Sequence, residues 1–141
     1  MKTISFISIL LFLCFSLISI SIASEALPLA NENGDYAKRT AHLYWIVVDT
    51  DPSGLNGRLS PDFPSDWENP TIGWPKMNIG QWPVVKRFAK GTILNGCMGN
   101  CGVLHYDVNN KPWLMVSVGI QHICFVRANS KYIKPVRIST E

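Results

Sequence analysis

Beyond its first 22 residues, the chain has no apolar run long enough to span a membrane and no large excess of charge of either sign. The first absence predicts no stable membrane insertion once the amino-terminal segment is removed. The charge balance, 13 basic against 10 acidic residues, is too even for a protein that binds nucleic acid through phosphate contacts. The sequence also lacks an apolar stripe of helical period, because prolines and glycines recur too often. This excludes amphipathic helices.

The amino-terminal segment, residues 1–23, has the layout of a secretory signal peptide. Lys2 gives a positive start, an apolar run extends from Ile4 to Ile22, and Ser21-Ile22-Ala23 supplies small residues before a cut. A retained membrane anchor is the alternative, because the run approaches the roughly 18–20 residues that a spanning helix needs. The serines inside the run favour cleavage. We therefore predict a secreted protein, periplasmic or extracellular, that begins near Ser24.

The predicted mature chain has about 118 residues, a single-domain size. Residues 24–42 are polar and irregular, which predicts a flexible amino-terminal arm. The domain is predicted over residues 43–137, followed by a short tail at 138–141.

Short runs rich in β-branched and aromatic residues recur from Leu43 onward, separated by turn residues. Strands are predicted at Leu43–Val48, Thr92–Leu94, Cys101–Tyr106, Pro112–Val118 and Ile123–Val126, with Tyr132-Ile133 and Val136 closing the sheet. Alternation along Pro112–Val118 predicts one buried and one semi-exposed face. Strands this short, at roughly ten-residue spacing, predict a mainly β barrel or sandwich.

Four landmarks resemble the bacterial SH3-like (SH3b) domain family. They are Leu55-Asn56-Gly57-Arg58, Lys90–Leu94, Lys111–Val116 and the segment from Cys124 to Ile133. Members of this family have four motifs in the same order: an Asn-x-Arg, a Gly-Thr before a strand, a Trp-x-x-Val strand and a closing Tyr-Ile or Tyr-Leu. The resemblance covers roughly Trp45 to Val136. It implies a small, partly open antiparallel SH3-like barrel that recognises peptidoglycan or a wall-associated peptide without catalysis. Gly57 departs from the pattern, since a larger residue is usual there.

Relative to that pattern, the region from Leu59 to Val84 contains an insertion of about 20 residues. It is rich in proline and glycine and carries three tryptophans: Trp67, Trp74 and Trp82. Loops this long are usually functional or disordered, and three solvated tryptophans would leave costly apolar surface in water. Two interpretations remain open. The rings pack onto the barrel, or one or two of them form a stacking platform for a sugar or peptide.

The resemblance implies a ligand groove between this insertion and the Asn109-Asn110 turn. The ligand-facing candidates are Trp67, Trp74, Trp82, Tyr44 and Arg58. Arg58 matches the Asn-x-Arg of the family, and the alternative is that it braces the turn by hydrogen bonds. We predict a cell-wall polymer or an extracellular peptide or protein as the partner, and no cofactor.

Three cysteines follow the predicted cleavage site: Cys97, Cys101 and Cys124. An oxidising compartment allows one disulfide and leaves one thiol over. In the chain-entropy model, a ring reaching Cys124 stabilises by roughly 3.5 kcal/mol, against about 2 kcal/mol for a Cys97–Cys101 ring. Cys97 and Cys101, however, flank a turn between predicted strands and can face each other across a hairpin, so we predict this pairing. Cys124, in an apolar run, is then a buried free thiol.

Metal binding and cysteine-based hydrolysis are the other chemistries that these residue types allow. Zinc-type ligands stand at four positions: Cys97, Cys101, His105 and His122. The C-x3-C spacing is loose and oxidation competes with metal binding, so we predict no metal. A hydrolase acting on wall peptides needs a nucleophile at a helix N-terminus beside a base, and neither Cys97 nor Cys124 begins a predicted helix. We predict a non-catalytic protein, with a small secreted cysteine hydrolase as the alternative.

Overall fold

The computed structural model describes residues 26–38, 40, 42–61, 63, 78–96, 104–119 and 122–138. Its strands are β1 (Tyr44–Val47), β2 (Leu55–Arg58), β3 (Val84–Phe88), β4 (Ile93–Asn95), β5 (Leu104–Tyr106), β6 (Pro112–Ser117), β7 (Ile123–Arg127) and β8 (Ile133–Pro135). A 3₁₀ helix spans Ile79–Gln81. The prediction of a mainly β protein is confirmed. The predicted signal peptide lies outside the described residues, and no helix among those described is long and apolar enough to cross a membrane.

The strands form two antiparallel sheets that do not close into a barrel. The first has the order β4-β1-β8 and the second the order β3-β2-β7-β6-β5. An isolated bridge between Gly96 and Val116 connects the end of β4 to β6. Leu104 of β5 pairs with Leu114 of the same strand, β6. The described strands therefore form two sheets joined at this bridge.

The larger core lies between the two sheets. Its buried members from the first sheet are Trp45, Val47, Leu94 and Ile133, and those from the second are Leu55, Phe88, Leu104, Leu114, Val116, Cys124 and Val126. Trp45 is fully buried, and its indole N–H donates to the His42 carbonyl at 3.1 Å. This hydrogen bond removes the penalty of burying the only polar atom of the ring.

The opposite face of the second sheet is covered by the two ends of the insertion. Ile79, Trp113, Met115 and Phe125 form a second buried cluster, with Leu59, Phe63, Trp82 and Ile123 packed against it. Along β6, Leu114 and Val116 enter the first cluster while Trp113 and Met115 enter the second. The prediction of a semi-exposed face on this strand is wrong, because the insertion packs against that face.

Part of the predicted amino-terminal arm packs on the domain. Asp35 forms an isolated bridge with Asn129, and its carboxylate lies 2.7 Å from the Arg127 guanidinium. Tyr36 is 4% exposed, and its ring meets the edge of Trp45 at a centroid distance of 4.9 Å. Tyr36 therefore contributes to the larger core.

The absence of a side chain at Gly57 lets β2 lie close to β7. A Cβ atom at this position would lie 2.6 Å from Sγ of Cys124 and 2.9 Å from a ring carbon of Phe88. Real contacts of that kind do not occur at such distances, so any larger residue requires its neighbours to shift. The side chains of Cys124 and Phe88 thus fill the space in which the SH3-like pattern has a larger residue.

Candidate binding groove

A groove lies beside the point where β2 meets β7. These strands pair at a single position, Arg58 opposite Phe125, whereas β2 pairs with β3 along its whole length. The groove has a volume of about 780 Å³, within the roughly 300–1,000 Å³ typical of ligand pockets. It is open to solvent and lined mostly by polar side chains.

The groove lies between the end of the insertion and the turn that precedes β6, the place that the SH3-like resemblance implies for a ligand groove. Asn78 and Gln81 line it from the 3₁₀ helix side, and Asn109 and Lys111 line it from the turn. A third wall is the turn between β1 and β2.

Two aspartates shape that third wall. Asp49 Oδ1 accepts the N–H of Asp51 at 3.1 Å, and Asp51 Oδ1 accepts the N–H of Ser53 at 2.8 Å. Gly54 then takes a φ of 81°, which only glycine adopts at no steric cost. The carboxylates of this wall are therefore used to hold the turn.

Asp107 organises the opposite wall. Its Oδ1 accepts the backbone N–H groups of Asn109 at 2.8 Å and Lys111 at 2.9 Å, and its Oδ2 accepts the Trp113 indole N–H at 2.9 Å. Burial opposes ionisation of this carboxyl. The hydrogen bonds from Lys111, Trp113 and Asn109, with the charge of Arg127, outweigh burial and lower the pKa of Asp107 below its ordinary value. An ionised Asp107 thereby fixes the Trp113 ring at the groove.

Arg127 is a groove residue whose charge is already compensated. One guanidinium nitrogen donates to Asp35 at 2.7 Å and another donates to the Pro112 carbonyl at 2.7 Å. The arginine therefore ties the amino-terminal segment to the start of β6, which is a structural role.

Arg58 and Asn56 retain capacity for further hydrogen bonds. Two residues apart on β2, they lie on the same side of the strand, and both line the groove. Arg58 Nη1 donates to the Trp82 carbonyl at 2.6 Å, so the arginine does brace the chain and also lines the groove. Oδ1 of Asn56 is shielded from solvent and has no hydrogen-bond partner among the described residues.

The aromatic candidates lie elsewhere or outside the described residues. Trp82 is half-buried, with its ring 5.8 Å from Phe63 and 5.6 Å from Phe125 between centroids. Tyr44, 38% exposed, is on β1 and does not line the groove. Trp67 and Trp74 lie outside the described residues. The structure thus brings Arg58 to the groove and packs the Trp82 ring on the second cluster.

Cys124 is a fully buried free thiol, as predicted. Burial raises its pKa to about 12, against a smaller opposing effect of Lys86. Because the thiolate is the nucleophilic form, burial and the raised pKa both oppose a nucleophilic role for Cys124. Cys97 and Cys101 lie outside the described residues, so their disulfide stays a prediction. Within the described part of the chain, no group of three or more His, Cys, Asp or Glu side chains is arranged to hold a metal ion.

Of the groove residues, Arg58 is a candidate from the sequence, whereas Asn56, Lys111 and Lys131 are not. For Asn56 the signal was present, because a strand places residues two apart on one side. For the two lysines no local signal exists, since they reach the groove through the packing of distant turns.

No family model, curated protein or solved structure matches this chain.

Proposed function

We propose that this chain is a secreted, non-catalytic binding module of the SH3-like type, with its ligand in the groove between the 3₁₀ helix and the turn before β6. The proposed ligand is the peptide part of a cell-wall polymer such as peptidoglycan. A peptide of an extracellular protein offers the same chemistry and is the second possibility.

The observation that carries this proposal is the unused hydrogen-bonding capacity at Asn56 and Arg58. A buried polar atom without a partner costs about 1–3 kcal/mol, and Asn56 Oδ1 is such an atom. A ligand that donates to it removes this penalty on binding. Arg58 is half-buried, and of its five N–H donors one is accepted by Trp82 and none of the others by a described residue.

The SH3-like part of the proposal is supported by the order of its elements. Asn56 and Arg58 lie on a strand beside the groove, Gly91 with a φ of 88° precedes β4, and the Trp113-to-Val116 run lies within β6. The alternative of a cysteine hydrolase is disfavoured by the burial of Cys124 and its raised pKa.

The three tryptophans of the insertion are assigned two different roles. Because the Trp82 ring packs on Phe63 and Phe125, we assign it to the core. Trp67 and Trp74 remain proposed stacking residues, since aromatic rings contribute large contact area at little entropic cost.

Cosedimentation of the mature protein, residues 24–141, with insoluble wall polymer tests the proposal. Arg58→Gln should reduce the bound fraction, whereas Arg87→Gln, which removes an exposed arginine on neighbouring β3, should leave it unchanged. Equal binding of both variants would overturn the groove as the site. Release of wall peptides that Cys97→Ser abolishes would instead favour the hydrolase.

A further inference from the structure

The groove is lined by charged groups of both signs. Asp49, Asp51 and Asp107 each accept backbone N–H groups of their own turns, and Arg127 is paired with Asp35. Three cations of the groove, Arg58, Lys111 and Lys131, form no ion pair with any described residue. These three cations give the groove positions at which an anion can bind, beside the carboxylates of its two turns.

The nature of the anion follows from the neighbour of Arg58. Arg58 can meet a planar carboxylate with two parallel hydrogen bonds. On the same side of β2, Asn56 Oδ1 needs a donor, and the broad side-chain torsion of asparagine lets that oxygen turn towards one. The last residue of a peptide carries a free carboxylate and, within the same residue, an amide N–H.

We propose that the groove binds the free carboxyl end of a peptide. Arg58 takes the terminal carboxylate, Asn56 accepts the N–H of the last residue, and Lys111 and Lys131 attract the anion at the rim, where both are exposed. This inference rests on the proposed function and specifies which end of the ligand enters the groove.

The test uses a wall tetrapeptide that has a terminal carboxylate and a side-chain carboxylate. Three synthetic forms are compared: both carboxylates free, only the terminal carboxylate amidated, and only the side-chain carboxylate amidated. Titration calorimetry with the mature protein should give a Kd about tenfold to hundredfold weaker for the terminal amide, as for loss of hydrogen bonds to a charged group. The side-chain amide should bind like the unmodified peptide. Equal Kd values for the terminal acid and the terminal amide would overturn the inference.

Variants separate recognition by Arg58 from its bracing of Trp82. In Arg58→Gln the ratio of the two Kd values should fall towards one, while Arg87→Gln should keep the wild-type ratio. A purely structural arginine would weaken both peptides by the same factor and leave the ratio unchanged, which would refute the assignment. Should Arg58→Gln fail to fold, Arg58→Lys decides: it keeps the charge but loses the fork, so the ratio should fall part of the way.

Two negative outcomes distinguish the two proposals. Binding to insoluble wall polymer without any preference for a free terminal carboxylate would overturn this inference and leave the proposed function standing. Failure to bind both the polymer and all three peptides would overturn both.

Discussion

At the scale of single residues, two buried groups depend on particular neighbours. Position 57 requires glycine because Sγ of Cys124 occupies the space that a Cβ atom would need. Asp107 is buried yet ionised because three N–H donors surround it. Each of these dependences gives a prediction.

Gly57→Ala should destabilise the protein by about 1–3 kcal/mol, as overpacking of a filled core does. Urea unfolding measures this loss. The double variant Gly57→Ala with Cys124→Ala should lose less than the sum of the two single changes, because removing Sγ makes room for the new methyl group. A coupling of at least about 0.5 kcal/mol is expected for residues in contact. Strict additivity would contradict the packing described here.

Asp107 should make stability fall in acid. Because its pKa is lowered in the folded state, its contribution is present above the unfolded value of about 3.9 and is lost as the pH falls through the folded value. Unfolding free energies at pH 6 and pH 3 should therefore differ more for the wild type than for Asp107→Asn. Asp51→Asn, in the other turn, controls for loss of one negative charge. An identical acid loss in wild type and Asp107→Asn would refute this role.

At the scale of elements, the amino-terminal segment and the insertion both have structural roles that their composition conceals. Residues 24–42 are polar, which predicts an arm, yet a single aromatic residue, Tyr36, enters the core. On β6 the residues of both faces are apolar, so alternation of side chains could not reveal which face is covered. The covering elements are the ends of the insertion, and their packing is a long-range contact that local patterns do not encode.

Deleting residues 24–36 should destabilise the domain by about 3–5 kcal/mol, the range for loss of a buried aromatic side chain. Deleting residues 24–29 is the matched control, because Tyr36 and the Asp35–Arg127 ion pair remain. Thermal unfolding of the two truncated proteins compares them directly. Equal melting temperatures would show that the segment is dispensable.

At the scale of the whole molecule, the strands were predictable and their arrangement was less so. β1, β5 and β6 lie within predicted β runs, and β4 and β7 extend one residue beyond theirs, because β-branched and aromatic residues concentrate in these runs. The expected position of the groove, between the insertion and the turn before β6, came from the resemblance to the SH3-like family. The division into two sheets did not follow, since pairing partners such as Trp45 and Pro135 are far apart in sequence.

Amide chemical-shift mapping with a soluble wall peptide tests whether the ligand enters the groove beside β2. We expect shifts at Asn56, Arg58, Asn109 and Lys111 on addition of the peptide, with Tyr44 and Ile93 on the first sheet unchanged. Shifts confined to Tyr44 and Ile93, or none anywhere at saturating peptide, would contradict it.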